Sequence, residues 1–501
     1  MIRVSISWSS MKVSGTTLAC SMLGVLILFL SQGCQNGVAA NDKDHQAVDM
    51  PNILVINVDD LGFHDLSVYG SEIYQTPNMD RLMSESYSFQ NAYANYPRCL
   101  PSRFSMITAT YPVQEFNGRL SVVQEENNFV KQFKNSGYYT FYVGKWHQPG
   151  EENAPVAFGF DASFAANEAG GVASHYYPFN TRKIVAPIGE VPPVPDVEEA
   201  GKDGDYLADL LTDEMIRFLG SRSDSIPFFA MLCPYAVHTP FQAKQADIER
   251  NEAEIAAFDY GDTPEFVPEG NGVTKMRQDD AVYAAMVENM DWNLGRLLNA
   301  LAEAGLTQNT IVVFTSDHGG LSNRGDNNRR LATTNSPLRA GKGHLYEGGI
   351  RVPLMIRWPN TLSAREDSES IVALMDLMPT LLDLAADAKL TQVDGISFEN
   401  VLRGNESWPE RTLFFHERQA RPGATGDFPA TAMRSGPYKL HHFLGPDRYE
   451  LYNLKEDAGE TNNLIDLLPE IAGDLKQQMA EWKKARITDS DEILNQDNEA
   501  H

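Results

Sequence analysis

Asn52-Ile53-Leu54-Val55-Ile56-Asn57-Val58-Asp59-Asp60 is a near-continuous apolar run that stops on two carboxylates. A strand with no polar face belongs inside a sheet whose two sides are both covered by helices, the arrangement of α/β folds. The same texture returns at 138–143, 227–232 and 310–316, the last running into Asp317-His318, and 353–357 reads as a fifth strand. Between these runs apolar residues recur at helical spacing, as in Leu207, Leu211, Met215 and Phe218, and again in Met286, Met290, Leu294, Leu297 and Leu301. Strand and helix alternate, so the sequence predicts a doubly wound mixed α/β sheet flanked by helices. Sites in such folds lie beyond the C-terminal ends of the strands, where both Asp59-Asp60 and Asp317-His318 fall.

Outward from that core the texture changes. The stretches 186–204 and 258–272, rich in Pro, Gly and acids, read as long surface loops. After about residue 390 short segments and a late helix near 468–485 predict a smaller α+β subdomain, an antiparallel sheet plus helix. The expected organisation is therefore a catalytic domain over 51–390, a C-terminal subdomain over 391–487 and an acidic tail over 488–501. Residues 1–40 hold Arg3 and Lys12, no acid, and an apolar stretch from Leu18 to Leu30. That stretch is too short to span a bilayer and reads as a signal peptide. Ser31-Gln32-Gly33-Cys34 resembles a bacterial lipoprotein box with Cys34 as the lipidated residue, and Val38-Ala39-Ala40 is an alternative cleavage site for ordinary secretion. Either exit implies export, to the periplasm or outer membrane in the first case, with membrane attachment only through the Cys34 lipid.

Composition excludes more than it identifies. The 501 residues carry 68 Asp+Glu against 41 Lys+Arg, a net charge of −27, which argues against a nucleic-acid partner. A hydrophobic fraction of 42% is that of a globular chain, and four cysteines cannot make a disulfide scaffold. Once residues 1–40 are removed, only Cys99 and Cys233 could pair.

Three groups of residues carry chemistry. Asp59, Asp60, Asp317 and His318 offer three carboxylates and an imidazole from two strand ends, a hard site suited to Ca²⁺ or Mg²⁺. Cys99-Leu100-Pro101-Ser102-Arg103 places a thiol at what reads as a helix start, where an anion is favoured. A third group, Arg324, Arg329, Arg330, Arg339 and Lys342 with only Asp326 opposing, is a basic island in an acidic chain. It reads either as a solvated loop or as a subsite for a carboxylate or second sulfate of a polyanionic sugar.

Cys99-x-Pro101-Ser102-Arg103 resembles the sulfatase signature, whose cysteine is oxidised after translation to Cα-formylglycine (3-oxoalanine). The family's other blocks follow in order: Asp59-Asp60 before Leu61-Gly62, Gly144-Lys145-Trp146-His147, His238 before Thr239-Pro240, Asp317-His318-Gly319 and Lys342 before Gly343-His344. The likeness runs from about residue 51 into the Glu450-Leu451-Tyr452-Asn453 region. It implies the alkaline phosphatase-like fold and a sulfuric ester hydrolase that releases inorganic sulfate. It also implies one Ca²⁺ held by Asp59, Asp60, Asp317, His318 and the modified Cys99, with Arg103 orienting the formylglycine. Most relatives carry Asn at the place of His318, which bears on ion preference.

By the same resemblance, one hydroxyl of the hydrated aldehyde attacks sulfur while calcium, Lys145 and Lys342 offset charge on the sulfuryl oxygens. His238 or Lys342 protonates the departing alcohol, and His147 helps remove the proton whose loss expels sulfate. The implied partners are a formylglycine-generating or sulfatase-maturing enzyme and a sulfated polysaccharide or oligosaccharide. Asn335-Ser336-Pro337-Leu338-Arg339-Ala340-Gly341-Lys342 leans towards galactose or N-acetylgalactosamine sulfates. The alternatives are a formylglycine-dependent phosphodiesterase or phosphonate monoester hydrolase, and a catalytically silent glycan-binding lipoprotein.

Overall fold

The apolar run 52–58 forms a strand paired in parallel on both sides. A computed structural model describes residues 50–113, 120, 123–180, 192–222, 226–405 and 408–487. Residues 1–40, where the signal peptide and the Cys34 lipidation site are expected, and the tail at 488–501 lie outside the described residues.

In chain order the strands are β1 (Asn52–Val58), β2 (Tyr87–Tyr93), β3 (Tyr139–Gly144), β4 (Ala162–Phe164), β5 (Phe228–Cys233), β6 (Phe266–Glu269), β7 (Gly272–Lys275) and β8 (Thr310–Ser316). They continue as β9 (Asn323–Arg324), β10 (Leu354–Arg357), β11 (Arg365–Ala373), β12 (Thr412–Glu417), β13 (Ala430–Ser435), β14 (Tyr438–Phe443) and β15 (Arg448–Asn453). An eight-stranded sheet runs β11-β2-β10-β8-β1-β5-β3-β4. Only β10 in it runs against its neighbours β8 and β2; β1 is parallel to both β8 and β5. The mixed α/β sheet and the separate antiparallel sheet β12-β13-β14-β15 are the architecture the sequence predicts.

Every residue of β1 is buried, as its lack of a polar face requires. Leu54, Ile56 and Val58 face one core, with Leu211 and Met215 of the Leu207–Gly220 helix and Leu294 and Leu297 of the Ala281–Glu303 helix. Ile53 and Val55 face the other, with Phe129, Phe133, Met378 and Leu381. Asp280 caps the Ala281–Glu303 helix, accepting hydrogen bonds from the amides of Val282 (3.0 Å) and Tyr283 (3.1 Å). The C-terminal sheet lays Phe415, Ala430 and Ala432 against Tyr93 and Ala373. Its opposite face is covered by Ala472, Leu475 and Met479 of the Pro469–Arg486 helix.

The stretch 258–272 departs from a plain loop. It contains β6, and β6-β7-β9 form a third, three-stranded sheet with a turn at Gly270 (φ 55°). Strand β9 borders this turn so closely that a Cβ on Gly272 would stand 1.8 Å from the Arg324 carbonyl oxygen. Among the described residues no helix is long and apolar enough to cross a membrane.

Candidate active site

The C-terminal ends of β1, β8, β5 and β3 open on one edge of the sheet, and each delivers part of the site. Val58 and Ser316 are paired across β1 and β8, so Asp59-Asp60 and Asp317-His318 emerge side by side. Two successive carboxylates on a strand would point to opposite faces. Here Asp60 takes a left-handed conformation (φ 61°), the chain turns, and both reach the same space. The turn is held by the Asp60 amide, which donates to Asp317 Oδ1 at 3.1 Å. Lys145 and His147 follow β3, and His238 follows β5. Lys342 arrives on the loop before β10, which reaches the same edge because β10 is antiparallel.

Cys99 begins the Cys99–Thr108 helix and is 7% exposed. Lys342 Nζ lies 3.8 Å from its sulfur and 2.7 Å from Asp60 Oδ1. Lys145 Nζ donates to Asp59 Oδ2 at 2.6 Å. Arg103, fully buried one helical turn after Cys99, donates from Nε to Asp317 Oδ2 (2.8 Å) and from Nη1 to the Lys145 carbonyl (3.0 Å). Its Nη2 lies 3.6 Å from Asp59 Oδ1. Ser102 Oγ donates to the Asp317 carbonyl at 2.5 Å, a contact that the sequence pattern does not single out.

These charges set one another. Burial works against an ionised Cys99 thiol, but the ammoniums of Lys145 and Lys342 hold it well below its ordinary range. Burial likewise opposes the Asp60 carboxylate, and Lys342, His238 and His318 overcome it. His238 is pushed down to about 3 by burial and by the Lys342 charge, so its ring is neutral at pH 7. Burial lowers His147, while neighbouring Cys99 pulls the other way. Burial opposes charge on His318 too, yet Asp317 and Asp60 raise it to about 9.

A metal fits this donor set. One oxygen, nitrogen or sulfur from each of Asp59, Cys99, Asp317 and His318 lies within 4.8 Å of the others, and all four residues are buried. Asp60, Cys99 and His238 form an overlapping group, and Asp60 Oδ1 is 3.2 Å from His318 Nε2. Two atoms in the cluster are buried without a hydrogen bond, Asp59 Oδ1 and His318 Nε2. His318 Nδ1 donates to the Gly319 carbonyl at 2.9 Å, which fixes the ring and turns Nε2 to the carboxylates, as in ligating histidines. A cation here would replace the proton that the carboxylates otherwise hold on that ring.

The basic island divides. Arg330 forms a two-pronged pair with Asp280 (2.6 and 2.7 Å), the residue that caps the Ala281–Glu303 helix, and its side chain stays exposed. Arg339 is bound by Glu269 (2.7 and 3.0 Å) and lies 3.9 Å above the Tyr346 ring. Arg324 stacks on Phe266 and donates to the Arg329 carbonyl at 3.2 Å. Arg329 lies in the field of Asp60 and Cys99, and burial lowers its pKa. The carboxylate partners of Arg330 and Arg339 lie 50 and 70 positions away in sequence, and no spacing rule reveals them.

Gly170 and Gly171 run beside His147 and His238, although no motif marks them. A Cβ on Gly170 would stand 2.4 Å from His147 Nε2, and one on Gly171 would stand 3.4 Å from the His238 ring. A side chain at Gly170 would therefore collide with the His147 ring, whereas one at Gly171 would meet His238 at ordinary contact distance. Cys99 and Cys233 are both free thiols.

Residues 51–388 match the sequence model of the family described as Sulfatase, and residues 340–485 match one described as N-sulphoglucosamine sulphohydrolase, C-terminal. The chain is 29% identical to a sulfatase of Formosa agariphila, over 89% of this chain and 88% of that one. It is 27% identical to the N-acetylgalactosamine-6-O-sulfatase of Bacteroides thetaiotaomicron, over 91% of this chain and 97% of that one. Among solved structures it is similar to Ps i-CgsB in complex with k-i-k-neocarrahexaose, at 26% identity and a TM-score of 0.68, covering 89% and 96% of the two chains. The fold is shared with the phosphonate monoester hydrolase of Agrobacterium radiobacter, at 22% identity and a TM-score of 0.59, over 87% and 96%.

Proposed function

The chain belongs to the sulfatase family and is a sulfuric ester hydrolase, and from that premise we propose that it removes sulfate from a sulfated carbohydrate through a formylglycine derived from Cys99 and a calcium ion. The observation that carries the reading is Cys99 itself. It is a buried thiol at a helix start, with Lys342 at 3.8 Å and a carboxylate–imidazole cluster beside it. Calcium would be held by Asp59, Asp60, Asp317, His318 and residue 99. When present, calcium supplies charge against the sulfuryl oxygens, and the hydrated aldehyde supplies a hydroxyl nucleophile.

The chain's own residues do the rest. Lys145 and Lys342 bind the sulfuryl oxygens. Arg103 holds Asp59 and Asp317 in register beneath residue 99. His147, kept neutral by burial and in contact with residue 99, takes a proton from it. His238 or Lys342 gives the proton to the leaving oxygen. Residues 1–40 direct export, and Cys34 carries the lipid that anchors the protein. Arg329 is our candidate for contact with a further anionic group of the sugar.

Carbohydrate as the substrate is supported by the relatives, one named for N-acetylgalactosamine 6-O-sulfate and one bound to a neocarrahexaose. The test is release of inorganic sulfate from defined sulfated galactose, N-acetylgalactosamine and carrageenan-type saccharides, beside phosphodiester and phosphonate monoester controls. Sulfate release from one sugar class is the expected result. Preferential turnover of the phosphorus esters would replace this reading with the phosphonate hydrolase one. Binding of the saccharides without turnover by protein carrying formylglycine would replace it with a silent glycan-binding role.

A further inference from the structure

Arg98 stands immediately before the reacting residue, yet its side chain leaves the catalytic edge for the C-terminal sheet. Its carbonyl accepts the Ser102 amide at 3.1 Å and so starts the Cys99–Thr108 helix. Its guanidinium donates to Asp427 Oδ2 (2.7 Å), Thr425 Oγ1 (3.1 Å) and Glu417 Oε1 (3.4 Å). Glu417 is the last residue of β12. Arg98 is 7% exposed, and Glu417 and Asp427 are each 1% exposed.

A second strut runs alongside. The Gly343 amide, next to Lys342, donates to the Pro97 carbonyl at 2.9 Å. A Cβ on Gly343 would stand 2.8 Å from Thr425 Oγ1 and 3.1 Å from Arg98 Nη2, so the guanidinium lies directly against the chain that carries Lys342. His344 Nε2 closes the frame by donating to the Thr425 carbonyl at 2.8 Å. One buried guanidinium thus touches the segment before residue 99, the segment after Lys342, and the 425–427 turn of the C-terminal subdomain.

We propose that Arg98 is a positioning residue, through which Glu417 and Asp427 of the C-terminal subdomain hold residue 99 and Lys342 at reacting distance. This rests on the reading of those two residues as reacting groups. Buried ion pairs are poor sources of net stability, because desolvating the charges offsets their attraction. What a planar guanidinium with two carboxylates does supply is direction, since its donors leave in fixed orientations. A compact apolar group could fill the same volume but could not tie three separate segments together.

The test uses the full chain produced with a maturing enzyme. It compares Arg98→Met, Arg98→Lys, Asp427→Asn and Glu417→Gln with the parent for kcat and KM on a small aryl sulfate, thermal midpoint and binding of inorganic sulfate. Misplacement of a reacting group by about 1 Å costs on the order of 100-fold in rate. Arg98→Met should therefore lower kcat by about 30-fold or more while KM moves less than about threefold. Arg98→Lys should recover part of the loss. Asp427→Asn, remote from the reacting atoms, should lower kcat about tenfold and weaken sulfate binding, measured well below its thermal midpoint. If Arg98→Met does not fold, Asp427→Asn and Glu417→Gln decide alone. A lower thermal midpoint in these variants with kcat and sulfate binding both unchanged would mean a merely structural pair and overturn the proposal. A parent protein that binds sulfate but hydrolyses no sulfate ester would instead overturn the sulfatase mechanism, and the effect of Asp427→Asn on sulfate binding would still judge the clamp.

Discussion

The ammonium of Lys342 lies 3.8 Å from the sulfur of Cys99, although 243 positions separate them in the chain. The contact forms because β10 runs against β8, which returns the Lys342 loop to the edge where the parallel strands end. A cation fixed at that distance is placed to act on charge that develops at residue 99 and on the group it attacks. Replacing Lys342 with Ala should lower kcat on a sulfate ester by about 100- to 1000-fold, the usual cost of losing one such stabilising donor. Steady-state sulfate release checks this; a loss under about tenfold would remove Lys342 from the chemistry.

Arg103 is a stability prediction as well as a catalytic one. Its guanidinium is the shared partner of Asp317 and Asp59 in a fully buried setting. Arg103→Met would leave both carboxylates short of a partner. Breaking a buried pair in this way costs about 3 to 5 kcal/mol. Chemical denaturation should read that loss, and a change below about 1 kcal/mol would show that the carboxylates find other partners.

A pH prediction comes from Asp65, which lies behind the site. Burial raises its carboxyl to about 6, against hydrogen bonds from Thr333, Tyr283 and the Gly62 amide. The folded value is above the ordinary 3.8, so the folded chain binds this proton more tightly than the unfolded chain does. Its contribution to stability is complete below about pH 4 and is lost as pH rises through about 6. Two pKa units correspond to about 3 kcal/mol. Asp65→Asn cannot ionise, so its unfolding free energy should lack that fall between pH 4 and 6. Parallel pH curves for variant and parent would contradict the assignment.

Much of this was legible in the sequence, and the reasons differ by element. Strands β1 and β8 announce themselves because burial on both faces leaves no room for polar residues, and their terminal carboxylates mark the functional edge. Strand β11 hides because its first residues, Arg365, Glu366, Ser368 and Glu369, are solvent-facing on an edge strand and read as loop. The β6-β7 hairpin hides because Pro268, Gly270 and Gly272 look like turn residues while the strand partner, β9, is distant in sequence. At the site, residue types and motif order reveal Cys99, the three aspartates and both lysines. They cannot reveal which arginines are paired with carboxylates. Arg330 and Arg339 look as available as Arg329 until Asp280 and Glu269 are seen against them. Ion pairing across the fold is a property of topology, and local spacing carries no trace of it.

Removal of a divalent cation makes a further prediction. Asp59, Asp317 and His318 leave two buried polar atoms without a hydrogen bond, which a cation would satisfy. Exhaustive chelation should lower the thermal midpoint and abolish turnover, and added Ca²⁺ should restore both. Asp317→Asn should respond much less to either treatment. Activity and thermal midpoint that are indifferent to chelation in the parent protein would contradict a metal at this cluster.

The measurement that bears most directly on the central claim is mass spectrometry of the peptide containing residue 99, taken from active protein made in an exporting host. The account predicts formylglycine at position 99, seen as the aldehyde or its hydrate, in a fraction that scales with sulfate-ester turnover across preparations. An unmodified Cys99 thiol in fully active protein would contradict it.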